Sequence, residues 1–153
     1  MLSCYYLNTT NRQKKIAFLA NTVQLVRQQY KAIADMDKIN AQMEWDFSEY
    51  EGNKNKIIIK ELYSQLGQEE YNRKEWFKDF YKNTNILVVT PQIFLNNLRR
   101  GYFSLKEYSM IVFDECHHTN EDHPYNLIMQ EFYFQKKNCK KIEDKELPYI
   151  IGR

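Results

Sequence analysis

What most constrains this chain is the spacing of its short apolar runs. Residues 16–20, 86–89, 110–113 and 149–151 are rich in β-branched or aromatic side chains and too short for a buried helix. That is the pattern of strands covered on both faces. A looser run begins at residues 57–59 and heads towards Tyr63, where Lys56 and Lys60 point to a more exposed strand.

Between these runs the period lengthens to that of a helix. Val23, Val26, Tyr30 and Ile33 line one face, while Gln24, Arg27, Gln28 and Lys31 line another, so an amphipathic helix is predicted there. Residues 68–81 bring Trp76, Phe77 and Phe80 together and keep Glu69, Glu70, Lys74 and Asp79 for solvent. A third helix starts at Thr90-Pro91, with Thr as cap, Pro in the first turn and Gly101 as stop. A fourth starts at His123-Pro124, with Tyr125, Ile128, Met129 and Phe132 on one face and Glu121 and Asp122 at the end where the helix dipole favours negative charge. Residues 35–56 are polar, with one Gly and no Pro, and read as helix continuation followed by a long surface connection.

Strands alternating with amphipathic helices require crossover connections, hence a mostly parallel sheet with helices on both faces. The predicted fold class is three-layer α/β, and 153 residues suit one core and one domain. A formal net charge of +2 creates no global field for nucleic acid, so any such binding must come from local groups in a groove. The 15% aromatic content can supply base-stacking platforms, but aromatics more often fill cores, and core packing is the expected role of most of them. Three cysteines, Cys4, Cys116 and Cys139, at irregular spacing suit reduced thiols. Residues 1–10 lack the basic start and apolar run of a secretory signal, and no stretch approaches a membrane span. The expectation is a soluble protein of the cytoplasm or nucleus with no membrane partner.

Asp114 and Glu115 directly follow the apolar run at 110–113, so both carboxylates should emerge at the carboxyl end of a buried strand, where open α/β sheets bind ligands. A hard cation such as Mg²⁺ takes oxygen ligands and keeps several waters, so Asp114 can hold it directly or through water, and Glu115 can orient an attacking water. An Asp-Glu pair in this place can also simply cap the next helix. Cys116, His117, His118 and His123 raise the question of zinc, but no paired CxxC or HxxxH spacing accompanies them, and zinc is not expected. Cys116 beside a histidine could act as a nucleophile; after a buried strand, packing is the expected role.

The string FDECHH at residues 113–118, followed by HPYN at 123–126, resembles motif II of superfamily 2 helicases and its downstream helix. ILVVTPQIFLNNL at 86–98 is similar to the strand and backbone-contacting motif of the same helicases, and FLANTVQLVRQQ at 18–29 is similar to motif Ia, in matching order and spacing. The resemblance runs from about Lys14 to the C-terminus. Asn21 stands where many helicases have Pro before the Thr, which resembles the Dicer and RIG-I-like branch. Trp76 with Phe80 favours Dicer, while the 90–97 and 147–152 stretches fit either group.

The resemblance implies a RecA-like domain of the P-loop NTPase type. Residues 1–153 form part of the first motor domain, with 1–13 a poorly defined N-terminal segment. It further implies ATP and Mg²⁺ as cofactors of the complete protein, with Asp114 on the metal, Glu115 on the attacking water, and both near the nucleotide. His117 would couple nucleotide state to movement against a second RecA-like domain. Thr22, Gln28, Thr90 and Gln92 would lie along the path of double-stranded RNA, holding phosphate or ribose without reading sequence. Thr22 and Thr90 can equally cap their helices, and the two roles are compatible.

One part of the pattern is missing. A phosphate loop of the form GxxxxGK[ST] cradles nucleotide phosphates, yet Gly52, Gly67, Gly101 and Gly152 are followed by Asn, Gln, Tyr and Arg. Arg153 stands where a Thr or Ser-Ala-Ser sequence would follow the last strand. The polypeptide alone is therefore expected to be inactive as an ATPase. Its parent is expected to be an RNA-dependent ATPase that feeds small-RNA processing by a ribonuclease III module. The alternatives are a RIG-I-like RNA sensor or interaction module, and a degenerate non-catalytic scaffold.

Overall fold

The computed structural model describes residues 14–42, 58–63, 80–82, 84–118, 122–134 and 147–153. Five strands form one sheet: β1 (Lys15–Leu19), β2 (Ile59–Leu62), β3 (Ile86–Val89), β4 (Tyr108–Phe113) and β5 (Tyr149–Gly152), in the order β2-β3-β1-β4-β5. Every pairing is parallel. The registers Leu62↔Val89, Leu19↔Val89, Leu19↔Phe113 and Phe113↔Gly152 place the last residues of all five strands in one transverse row.

Alternation along the strands divides the side chains between two covered faces. Ala17, Leu19, Leu62, Leu87, Val89, Ile111 and Phe113 pack on α2 (Pro91–Arg99) and on α3 (Pro124–Ile128), which continues as a π-helical turn over Met129–Phe134. Ile16, Ala20, Ile86, Val88 and Met110 face α1 (Val23–Gln42), which contributes Val26, Tyr30 and Ile33. This is the three-layer α/β arrangement expected, with a RecA-like sheet parallel throughout the described residues.

β3 falls on the run that predicts it, whereas β1 lies one residue earlier than 16–20 because the register includes Lys15 opposite Tyr108. β2 begins at Ile59, later than the run at 57–59, and its lysine is reconciled with the sheet by chemistry. Lys60 Nζ donates to the Phe80 carbonyl at 2.7 Å and lies over that ring. Lys15 does the same for the neighbouring backbone, donating to the carbonyls of Tyr81 at 2.8 Å and Thr84 at 2.6 Å. Two amines thus satisfy carbonyls that the helical residues 80–82 leave open at their C-terminal end. The rest of the predicted 68–81 helix lies outside the described residues, as does much of the 35–56 connection beyond the end of α1.

Below the amino end of the sheet, Phe94, Phe103 and Tyr108 form a triangle with centroids 5.0–5.5 Å apart, and Tyr81 stacks on Phe103 at 5.1 Å. Aromatic pairs of this geometry contribute about 0.5–1.5 kcal/mol each beyond burial, so core packing absorbs these aromatics. The caps are a partial correction. Thr90 stands at the N-cap of α2 in extended backbone, but its side chain makes no capping bond. Thr22 does cap α1, accepting from the Leu25 amide at 3.2 Å. At α3 the cap is His123, whose Nδ1 accepts from the Tyr125 amide at 3.2 Å.

Candidate functional site

The transverse row of strand ends fixes what comes next in space. One residue beyond it lie Tyr63, Thr90, Ala20, Asp114 and Arg153, all at the carboxyl edge where parallel sheets bind ligands. Backbone bonds continue the ladder to this level: the Ala20 amide donates to Val89, Asp114 to Leu19 and Arg153 to Phe113. The chain passes from β3 to β4 across β1, so the order of connection reverses beside β1, the kind of position at which open α/β sheets bind ligands.

Asp114 is held at that edge with its side chain 4% exposed. Its carbonyl accepts from the Tyr125 hydroxyl at 2.9 Å, and the same hydroxyl lies 2.8 Å from the Leu19 carbonyl. The Tyr125 ring stacks on Phe113 at 4.6 Å. Burial, together with the Asp114 charge, pushes the Tyr125 phenol well above its ordinary pKa, so it acts as a neutral donor across the physiological range. Arg153 Nε stands 3.4 Å from Asp114 Oδ1.

Glu115 turns away from its neighbour because its backbone has φ +54, the left-handed region that non-glycine residues rarely adopt. The turn is pinned on its far side, where the Cys116 amide donates to the Arg153 carbonyl at 3.0 Å. The Glu115 carboxylate is half exposed, with Oε2 at 3.4 Å from His117 Nε2. Thus the structure brings Asp114, Glu115 and His117 to one lip of the sheet, with the first carboxylate buried and the second offered to solvent. Cys116 packs beside β5, its Sγ 2.8 Å from where a Cβ on Gly152 would stand.

The four candidate RNA-path residues reach the same edge from two sides. Thr22 and Thr90 follow neighbouring strands β1 and β3. Gln28 is exposed in the second turn of α1, and Gln92 is exposed in the first turn of α2 on the opposite face, where its Nε2 donates to Asn96 Oδ1 at 3.0 Å. Nearby, Arg27 donates to the Tyr63 hydroxyl at 2.9 and 3.1 Å and lies over its ring.

Sequence reasoning missed Arg153, Tyr125 and the Arg27–Tyr63 pair. No local sequence signal marks any of them, since Arg153 lies beside Asp114 only once β5 is paired with β4.

A hard divalent cation fits the Asp114 carboxylate at the strand end, because such an ion takes carboxylate oxygen and completes its shell with water. No group of three or more His, Cys, Asp or Glu side chains forms a metal-ligating cage among the described residues. A nucleotide triphosphate is only partly provided for: no Gly-Lys pair occurs in the sequence, and among the described residues the one glycine with positive φ, Gly101, closes α2. No helix among the described residues is long and apolar enough to cross a membrane.

An all-parallel sheet of this order, with an acidic pair on its carboxyl edge, defines a RecA-like domain of the helicase type. The chain belongs to the family described as Type III restriction enzyme, res subunit, whose model matches residues 1–143. It is 35% identical over 130 residues to Endoribonuclease Dicer homolog 3 of Arabidopsis thaliana, covering 85% of this chain and 7% of that protein. It is 42% identical over 72 residues to Antiviral innate immune response receptor RIG-I of Homo sapiens, covering 46% of this chain and 8% of that one. Among solved structures, the Pyrococcus furiosus Hef helicase domain matches with a TM-score of 0.63 and 26% identity over 99% of this chain and 26% of its own. These similarities place it among superfamily 2 helicase domains of the Dicer and RIG-I-like kind. The chain spans under a tenth of the length of those two curated relatives.

Proposed function

We propose that this chain is the acidic-box part of the first motor domain of a Dicer-like protein, which couples ATP hydrolysis to binding and movement on double-stranded RNA during small-RNA processing. The observation that carries the reading is the position of Asp114 and Glu115, one buried and one exposed, at the carboxyl end of β4 beside β1. The similarity to a plant Dicer over most of the chain supports it.

In this reading Asp114 holds a largely hydrated Mg²⁺, which supplies charge neutralisation for phosphate oxygens when bound. Glu115 reaches into solvent to orient the attacking water and accept its proton on a carboxylate oxygen. His117, already 3.4 Å from Glu115, links that carboxylate to the surface that meets the second RecA-like domain. Thr22, Gln28, Thr90 and Gln92 contact the RNA backbone by hydroxyl, amide and helix N-terminus, which suits recognition of duplex shape. The polypeptide works in the cytoplasm or nucleus.

Because the chain itself carries no Gly-Lys phosphate loop, purified protein should release phosphate at background rate with or without duplex RNA. Robust turnover that disappears in Glu115→Gln would overturn that expectation. Duplex RNA binding, followed by fluorescence anisotropy, should weaken equally for unrelated sequences when Thr22, Gln28, Thr90 and Gln92 are all changed to Ala. The 42% identity to RIG-I across 72 residues favours a second reading, an RNA sensor whose output is partner recruitment. Ribonuclease III domains in the parent polypeptide favour the first reading, and N-terminal signalling domains favour the second.

A further inference from the structure

The ladder between β4 and β5 does more than extend the sheet. With Phe113 opposite Gly152, the next residues, Asp114 and Arg153, are parallel neighbours at the same level. Arg153 is pinned on both sides of its Cα: its amide donates to Phe113 and its carbonyl accepts from Cys116, both at 3.0 Å. Its starting point beside Asp114 is therefore set by backbone geometry.

Burial makes the encounter matter. Asp114 is 4% exposed at its side chain, and a carboxylate in that position requires a compensating charge or hydrogen bonds. The Arg153 guanidinium is 66% exposed, and its nearest approach is Nε at 3.4 Å from Oδ1. A contact of that length from a solvated group is weaker than a short two-pronged arginine–carboxylate pair, so the guanidinium can leave for water at small cost.

We propose that Arg153 is a built-in competitor for the Asp114 carboxylate, an internal cation that must yield Oδ1 before a divalent metal ion can take it, and that it thereby sets the metal affinity of Asp114. The inference rests on the reading of Asp114 as the cation-holding carboxylate. Glu115 is not part of the competition, because its left-handed backbone carries its carboxylate towards His117. Arg153 acts on the ion through Asp114 and touches no reacting atom, so it is a positioning residue.

The test uses the full 153-residue chain and Mn²⁺ as the probe, with free Mn²⁺ followed by electron paramagnetic resonance. Arg153→Leu and Arg153→Gln both delete the charge and keep the two backbone bonds. Each should bind Mn²⁺ about fivefold more tightly than the parent chain, the scale of a partly exposed ion pair. Arg153→Lys, which restores a cation, should return the affinity towards the parent value. Raising the ionic strength should narrow the gap, since an exposed guanidinium is screened. Asp114→Asn should weaken binding to one common level in all these backgrounds. If Asp114→Asn weakens binding while neither charge-deleting variant tightens it, the competitor inference fails and the acidic-pair reading stands. If Asp114→Asn leaves Mn²⁺ affinity unchanged in every background, the reading of Asp114 fails and the inference falls with it. Circular dichroism of each variant establishes that fold is retained, and the two independent charge deletions keep the test decisive should one of them unfold.

Discussion

Tyr125 is tied to Asp114 across eleven residues: its hydroxyl lies 2.9 Å from the Asp114 carbonyl and 2.8 Å from that of Leu19. One phenol on α3 therefore joins the ends of β4 and β1, two neighbouring strands of the sheet. Tyr125→Phe keeps the stacking on Phe113 and deletes this link, leaving the Asp114 carbonyl without its buried donor. Chemical denaturation should show a loss of about 1–2 kcal/mol. Tyr125→Ala, which also empties the ring's space, should cost about 3–5 kcal/mol.

The left-handed backbone at Glu115 separates strain from chemistry. A non-glycine residue in that region costs roughly 1–2 kcal/mol. Glu115→Gly should therefore raise stability by up to about 1 kcal/mol after the entropy that glycine loses on folding, while Glu115→Gln should leave it nearly unchanged. Thermal melts of the two variants check this. A Glu115→Gly protein less stable than Glu115→Gln would show that the turn does not hold the strained geometry.

Gly152 and Cys116 should behave as a coupled pair. A Cβ at Gly152 would stand 2.8 Å from Cys116 Sγ, so Gly152→Ala should destabilise by about 1–3 kcal/mol, as overpacking does. In a Cys116→Ala background the same change should cost clearly less. A double-mutant cycle reads the difference directly, and additive effects would contradict the contact.

His123 gives the chain a pH-dependent helix cap. Its Nδ1 accepts from the Tyr125 amide, which only the neutral ring can do, and burial holds its pKa below the ordinary 6.5. With the folded value lowered, the unfolded chain takes up a proton first as pH falls. The contribution is then fully present above about 6.5 and lost between there and the lower folded value. Stability measured from pH 7.5 downward should fall through this window in the parent chain. His123→Asn, which caps without titrating, should remove that component.

These residues also mark how far the amino-acid sequence can be read. The strand at Ile86–Val89 and the placement of Asp114 and Glu115 at the end of β4 followed from apolar runs alone, because parallel strands buried on both faces have no alternative pattern. Lys60 obscured β2, since its fitness for a strand depends on the Phe80 carbonyl twenty residues away. Tyr125 was legible as a core residue, but its hydroxyl meets Leu19 across 106 residues, a partner that no local period reveals. The Thr90-Pro91 pair located α2 correctly while suggesting a side-chain cap that the structure lacks. Arg153 was overlooked because its relation to Asp114 exists only once β5 is paired with β4.

The proposed function makes the carboxylates of Asp114 and Glu115 the acidic box of an ATP-driven, RNA-stimulated motor. Its most direct test is RNA-stimulated phosphate release from a chimera that joins this chain to the phosphate-loop segment and second RecA-like domain of a Dicer relative. Turnover that rises with duplex RNA and falls by about 10²-fold or more in Glu115→Gln is the predicted result. Turnover in the chimera that is indifferent to Glu115→Gln would contradict the account.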